Sequence, residues 1–387
     1  MKIANFKWGC GNFRILVLDE LHSATFVKKM NLDPCEIFFV NMHRLTIYIL
    51  PLLKIILKKL LRNVPSINNL KELYLLSIID SVNPSIILTA VDNNKNYWCI
   101  KNYYPEKKVF LFQNGLRGTT DLKAREFFFL KRRKFEVDHI FIMTRAEKDW
   151  YSENGLKAKH IHVCGSIKSN HIEVSKEIAE KKLVYLLQYK KHNYRNASKQ
   201  VSRYLNENGE NISYQEIYGK NISAIKTLHE FCKSNLLDFE IFGRAKDEQS
   251  ADMERDYLKY LGFGHINYVY RTSELDTYQY LDQARYIVTH GSTLGHEMLS
   301  RGRAVFFWSV QRCFGRDTVF GYSKFGDSGE FWTDEIDPVL FRPRLSRFIS
   351  YSDSDWSQFR VKYARAILPL DDKNTRLHQK LHKATLG

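Results

Sequence analysis

One run of eleven residues has the side chains and spacing of an anion cradle: Ile287-Val288-Thr289-His290-Gly291-Ser292-Thr293-Leu294-Gly295-His296-Glu297. The β-branched residues at its start favour a strand, and the small residues that follow favour a turn into a helix. Gly291 and Gly295 would let the backbone approach a ligand with no Cβ between them. Ser292 and Thr293 would offer hydroxyls and N–H groups at a helix N-terminus, where phosphate oxygens are stabilised. His290 and Leu294 complete the turn. Glu297, about one turn on, could accept hydrogen bonds from ribose hydroxyls. The chemistry is that of holding a nucleotide mono- or diphosphate. The alternative is a plain βα turn with Ser292 as N-cap.

Phe242-Gly243-Arg244-Ala245-Lys246 agrees with it. A glycine after a strand, followed by Arg244 and Lys246, would bring two cations to the same phosphates; otherwise it is a solvated basic turn. In the first half, Phe112-Gln113-Asn114-Gly115-Leu116-Arg117-Gly118 follows a predicted strand. Its glycines expose N–H groups and Arg117 suits an anionic substrate, while Asn114-Gly115 alone would make a tight turn. Asp92 closes another strand and could serve as base or nucleophile, or as a helix cap. Asp19, Glu20 and His22 carry the same ambiguity. Gly165-Ser166-Ile167-Lys168-Ser169-Asn170 ends the last strand of the first half, as a cleft-lining loop or a linker.

These residues need strands to place them. Short apolar runs alternate with helical segments, the pattern of parallel α/β architecture. Strands are predicted at 14–18, 36–40, 85–91, 109–113, 139–143 and 160–164, then at 183–187, 239–242, 286–289 and 304–308. In doubly wound sheets the ligand sits at the carboxyl ends of the strands, where every motif above falls. Helices are predicted at 214–234, 251–261, 273–283, 294–301, 356–368 and 375–383, and a charged helical run at 174–182. Residues 189–211 read as a polar surface loop with some helix. The expected division is one α/β domain at 1–170, a second at 171–350 carrying the phosphate cradle, and a helical tail at 351–387, whose helices could cross back to the first domain.

The chain has 387 residues, 44% hydrophobic, enough for two domains with real cores. A net charge of +16 asks for a polyanionic partner. Recognisable nucleic-acid modules are missing, so nucleic acid is not the expected one. Six cysteines lie far apart with no zinc spacing, as in a cytoplasmic protein with reduced thiols. No metal site is expected, and P-loop, HExxH and GxSxG motifs are absent. The N-terminal residues lack the apolar core of a signal peptide, and no apolar run reaches the roughly 18 residues that span a bilayer. Residues 45–61, with Pro51, Lys54, Lys58 and Lys59, read either as a basic amphipathic helix on an anionic membrane or as a sheet-packing helix with a solvated lysine stripe.

Together these residues resemble a two-domain glycosyltransferase of the GT-B type, and more narrowly the O-antigen or surface-carbohydrate biosynthesis proteins of bacterial lipopolysaccharide clusters. The resemblance rests on Leu88-Thr89-Ala90-Val91-Asp92-Asn93, the 112–117 run, Val163 to Asn170, and Gly291 to Glu297, and covers about residues 80–310. It implies two Rossmann-like domains facing a cleft, with the donor held at Ser292, Thr293 and Glu297. Asp92, Asn114 and Arg117 would be catalytic, and Gln113, Gly115, Gly165, Ser166, Lys168 and Asn170 would line the cleft. No cofactor or bound metal is implied, because helix N-termini and basic residues offset the leaving phosphate. The partners implied are a nucleotide-sugar donor, a lipid-linked or glycan acceptor, and the anionic inner face of a membrane. The related capsule β-Kdo transferases carry Glu-Asp-Gly where this chain has Gln113-Asn114-Gly115, and an amide is no nucleophile. The donor is therefore open between an NDP-sugar and a CMP-ulosonic acid. Nucleotide-sugar 2-epimerases and polyol-phosphate transferases share the Ser-Thr-Leu-Gly element, and a non-catalytic polyanion-binding or scaffold protein is the rival from another class.

Overall fold

The structure is a computed structural model that describes residues 5–7, 12–19, 23, 27, 32–40, 46–60, 70–92, 94–117, 135–153, 155–189, 194–205, 210–219, 221–308, 320, 325–335 and 337–386. Glu20, His22, Asn93 and Gly118 lie outside the described residues. The chain divides into two compact units. The first comprises Met1–Leu116, Arg125–Ile167 and Asn374–Gly387, and the second Arg117–Ala124 and Lys168–Lys373. Residues 351–387 form no third unit. Helix Asp353–Lys362 belongs to the second unit and helix Thr375–Leu386 to the first.

The first unit carries, in chain order, β1 (Asn5–Lys7), β2 (Ile15–Leu18), β3 (Ile37–Val40), β4 (Thr46–Tyr48), β5 (Ile86–Thr89), β6 (Lys108–Phe112), β7 (Glu136–Ile142) and β8 (Lys157–Val163). β1 and β4 pair alone, and the other six form a parallel sheet ordered β3-β2-β5-β6-β7-β8. Every residue of β2 and β5 is buried, as strands covered on both faces must be. Leu377 and Leu381, four apart and so on one face of the last helix, share a core with Phe110, Phe112 and Phe141.

The second unit carries β9 (Ala179–Leu186), β10 (Val201–Leu205), β11 (Asn211–Ser213), β12 (Asp238–Phe242), β13 (Asn267–Val269), β14 (Ala284–Thr289), β15 (Ala304–Trp308) and β16 (Trp332–Thr333). β10 and β11 form an antiparallel pair, and the rest a parallel sheet ordered β13-β12-β9-β14-β15-β16. Numbered within this sheet the order is 3-2-1-4-5-6, the Rossmann arrangement, which reverses between β9 and β14. In the first unit the reversal falls between β2 and β5.

Several sequence readings are corrected. The charged run 174–182 is not a helix: Ser175 N–H bonds to Asp282, Ala179 N–H bonds to the carbonyl of Gln283, and β9 begins there. The sheet takes the backbone groups that a helix would have satisfied internally. The expected helix at 214–234 is two, Tyr214–Tyr218 and Asn221–Ser234, the first closed by Gly219 N–H on the carbonyl of Gln215. The loop at 189–211 contains β10.

Candidate functional site

In the second unit β14 delivers His290–Glu297 to the carboxyl edge of the sheet at the point where the strand order reverses. Crevices of this kind are where ligands bind open α/β sheets. The turn is built by specific contacts. The Tyr185 hydroxyl, on neighbouring β9, hydrogen-bonds His290 Nε2. Gly291 sits at φ +109°, which favours glycine. Ser292 is the N-cap: its Oγ accepts from Leu294 N–H at 3.3 Å, and its own N–H donates to Thr289 Oγ1 at 3.4 Å. Helix Thr293–Ser300 follows. Gly291 is exposed and Ser292, Thr293 and Leu294 half-buried, whereas Gly295–Leu299 are buried. The open part of the segment is thus the helix entry, where N–H groups have no partner within the helix.

Gly295 does a different job from the one its spacing suggested. A Cβ there would lie 2.5 Å from Thr289 Cγ2 and 3.4 Å from Phe307 Cε1. It makes room for the helix to pack on β14 rather than for a ligand. His296 is a core residue: its ring stacks on Phe320 at 5.6 Å, and burial pushes its pKa down to about 3, so it is neutral. Glu297 is 5% exposed and bonded to the Tyr278 hydroxyl, which burial first and then the Glu297 charge hold well above the usual tyrosine range.

β12 ends on the same edge, with β9 between it and β14, at a strand separation of about 10 Å. Arg244 and Lys246 are exposed there. Gly243 is required by close packing, since a Cβ would meet Tyr268 Oη at 2.2 Å and Glu254 Oε2 at 2.3 Å. The buried Glu254 carboxylate fixes the loop by accepting from Arg244 N–H at 3.0 Å and from the Tyr268 hydroxyl at 2.8 Å. Lys168 pairs with Glu274 at 3.1 Å, and Asn170 is buried, accepting from Asp371 N–H at 3.2 Å. Lys168 is half-buried, while Asn170 is packed inside the second unit. Arg117 is 7% exposed and groups with the second unit, apart from Asn114.

In the first unit the reversal point carries two buried aspartates, each held by a tyrosine. Asp19 follows β2 at φ +59° and accepts from the Tyr97 hydroxyl at 2.7 Å. Asp92 follows β5, is 2% exposed, and accepts from the Tyr151 hydroxyl at 2.5 Å. Its backbone carbonyl accepts from Trp98 Nε1 at 2.6 Å. Gln113 does not line open space either. Its amide donates to the fully buried Glu147 and to the Gly115 carbonyl, and its Oε1 accepts from Met143 N–H at 2.7 Å. Asn114 and Gly115 beyond it are half-buried. Gly165 adopts φ +71°, and Ser166 is buried. Among the described residues no three His, Cys, Asp or Glu side chains are grouped to hold a metal, and no helix is long and apolar enough to cross a membrane.

Residues 110–385 match the protein family described as "putative O-antigen biosynthesis protein". The chain belongs to that family. No curated protein matches the sequence. The fold of this O-antigen-family chain extends over nearly all of several solved structures. The UDP-GlcNAc 2-epimerase of Methanocaldococcus jannaschii, in complex with UDP-GlcNAc and UDP, aligns at TM-score 0.54 and 10% identity over 96% of this chain and 99% of its own. S. aureus MnaA with UDP aligns at TM-score 0.52 and 12% identity over 99% and 97%. Sucrose-phosphate synthase of Thermosynechococcus elongatus aligns at 0.50 and 11% over 97% and 100%. The fold is therefore GT-B, with two Rossmann-like domains. At such identities the fold is all that is shared.

Proposed function

We propose that this O-antigen-family chain is a glycosyltransferase that moves a sugar from a nucleotide-sugar donor to a lipid-linked or growing surface glycan. The observation that carries this reading is the partly open helix entry at Gly291–Leu294, at the strand-order reversal of a 3-2-1-4-5-6 sheet. On this reading the donor phosphates meet the N–H groups and hydroxyls of Ser292 and Thr293, with Arg244 and Lys246 offsetting their charge. Glu297, braced by Tyr278, binds the ribose. Asp92, one oxygen fixed by Tyr151, supplies the carboxylate on the acceptor side, with Asn114 and Arg117 as the other residues assigned to the reaction. Leu53, Ile56 and Leu57 are 53%, 44% and 60% exposed along helix Ile49–Leu60, with Lys54 exposed among them. That face supports peripheral contact with an anionic membrane, where a lipid-linked acceptor would lie.

The test is a thermal-shift series with UDP, GDP, CMP and CDP. UDP comes first because two of the similar structures contain it. A ligand at a hundred times its Kd adds about 2.7 kcal/mol to the folded state. Glu297→Gln keeps an acceptor for Tyr278 and should weaken the binding nucleotide by about tenfold, the worth of a charge-assisted hydrogen bond. If none of the four nucleotides stabilises the protein, the proposal fails. A 2-epimerase of the same fold would convert its nucleotide-sugar with no acceptor present, so product analysis separates the two.

A further inference from the structure

A second groove, of about 480 Å³, opens beside β16 in the second unit. It is lined by Phe325, Glu330, Arg344, Arg347, Tyr351 and Lys362 above a floor of Trp332 and Tyr363. Glu330 precedes β16, and Tyr351 closes helix Pro338–Ser350, which returns from the carboxyl edge. The groove therefore borders the end of the sheet where strands begin, away from the edge that carries His290–Glu297. Its volume lies within the roughly 300–1,000 Å³ of small-molecule sites.

The floor is rigid. Trp332 Nε1 donates to the Gly326 carbonyl at 3.0 Å, and a Cβ at Gly329 would strike the Trp332 ring at 2.0 Å. The only acidic liner among the described residues, Glu330, is occupied: Lys362 bonds it at 2.5 Å, and so does the Tyr363 hydroxyl. Arg344 and Arg347, three apart and on one helix face, make no ion pair among the described residues, and Arg347 is exposed. Arg344, Arg347 and Tyr351 all line the groove. Phe325 and Tyr351 are half-buried and keep part of their rings open. Two guanidinium forks beside partly open aromatic rings, with the Glu330 carboxylate already bonded to Lys362 and Tyr363, recognise a planar or tetrahedral oxyanion attached to an apolar ring face. A sugar bearing a carboxylate or phosphate has that combination.

We infer that this groove binds an anionic saccharide unit of the glycan, separately from the donor cradle. The inference rests on the transferase reading for its role and deepens it by naming the class of glycan handled, but its test reads binding alone. Full-length protein is titrated calorimetrically with glucuronic acid, N-acetylneuraminic acid and glucose 6-phosphate, and with neutral glucose as reference. At least one anionic sugar should bind saturably, and at least about tenfold more tightly than glucose. The double variant Arg344→Gln, Arg347→Gln should lose about tenfold or more for that sugar while keeping the wild-type thermal response to nucleotide, which shows an intact fold and cradle. The inference is overturned by no saturable binding, by equal binding of glucose, by affinity unchanged in the variant, or by hexaglutamate binding as tightly as the best sugar, which would mark an acidic-peptide site. A protein that binds the sugar but no nucleotide sinks the transferase reading and leaves this one standing.

Discussion

Gly295→Ala tests whether the helix entry is held in place by its packing on β14. The added methyl would lie 2.5 Å from Thr289 Cγ2, closer than real Cβ contacts come, and Thr289 is fully buried. Either Thr289 moves or the helix Thr293–Ser300 lifts. Overpacking of this sort costs about 1–3 kcal/mol. Alanine returns at most about 1 kcal/mol over glycine in a helix, and less here in the first turn. The expected net loss is about 1–2 kcal/mol, or a fall of about 2–4 °C per kcal/mol for a unit of this size. Thr289 Oγ1 also receives the Ser292 N–H, so the movement reaches the turn and nucleotide affinity should fall with stability. Thr289→Ser removes the offending methyl and keeps the hydroxyl. Alone it should cost about 1 kcal/mol for the lost buried group; combined with Gly295→Ala it should rescue both stability and nucleotide binding, a coupling that a double-mutant cycle measures directly. If Gly295→Ala melts at or above the wild-type temperature, or the double variant shows no coupling, the close contact does not set the turn.

Three further outcomes follow from contacts in the structure. Asp282 and Arg301 are both fully buried and paired, and Arg301 also donates to the carbonyls of Ser169 (3.0 Å), Ile172 (2.8 Å) and Glu173 (2.9 Å); Asp282→Asn should cost about 3–5 kcal/mol and speed hydrogen exchange through 169–175, and unchanged exchange there would refute the bracing role. His139 and His162, hydrogen-bonded at 3.0 Å, have pKa values pushed down to about 4, by burial first and then by neighbouring histidines and by Lys108, Lys159 and Lys380. Between about pH 6.5 and 4 the unfolded chain binds protons that the folded one refuses, so stability falls as pH falls through that window; His162→Gln should flatten the urea-denaturation profile, and an unchanged slope would count against it. Tyr151→Phe leaves one oxygen of buried Asp92 without its donor and should cost about 1–3 kcal/mol, read by thermal melting; no loss would remove Tyr151 as the brace.

The strands were legible because parallel strands covered on both faces must be apolar throughout. Ile15–Leu18, Ile86–Thr89 and Ala304–Trp308 are buried at every position, and short β-branched and aromatic runs have few other uses. β13 and β16, three and two residues long, offer too little pattern, and helix Pro338–Ser350 is disguised by Pro343 within it. The strand–turn–helix at 284–300 was legible because its residues are contiguous. The role of each glycine was not: Gly291 and Gly295 look alike in sequence, and only Thr289 across the turn distinguishes a positive φ from a close packing contact. Gln113 looked like a lining residue because its partner, Glu147, is 34 positions away.

The partners of the buried acids sort them by task. Asp282 is met by the Arg301 guanidinium, which cancels its charge, and it serves as structure. Asp19, Asp92, Glu254 and Glu297 are met instead by the hydroxyls of Tyr97, Tyr151, Tyr268 and Tyr278. A phenol donates one hydrogen bond and brings no positive charge of its own, so it orients the carboxylate without acting as its counter-ion; Glu254 is in addition acted on by the Arg244 charge. Burial pushes Tyr97, Tyr268 and Tyr278 well above the usual tyrosine range, which keeps them protonated as donors. His290 is held by the same device, through Tyr185. These groups lie at or beside the carboxyl edges of the two sheets. Each hydroxyl finds its acid far along the chain, 78 positions away for Tyr97 and Asp19 and 14 for Tyr268 and Glu254, and for that reason these pairs could not be drawn from spacing.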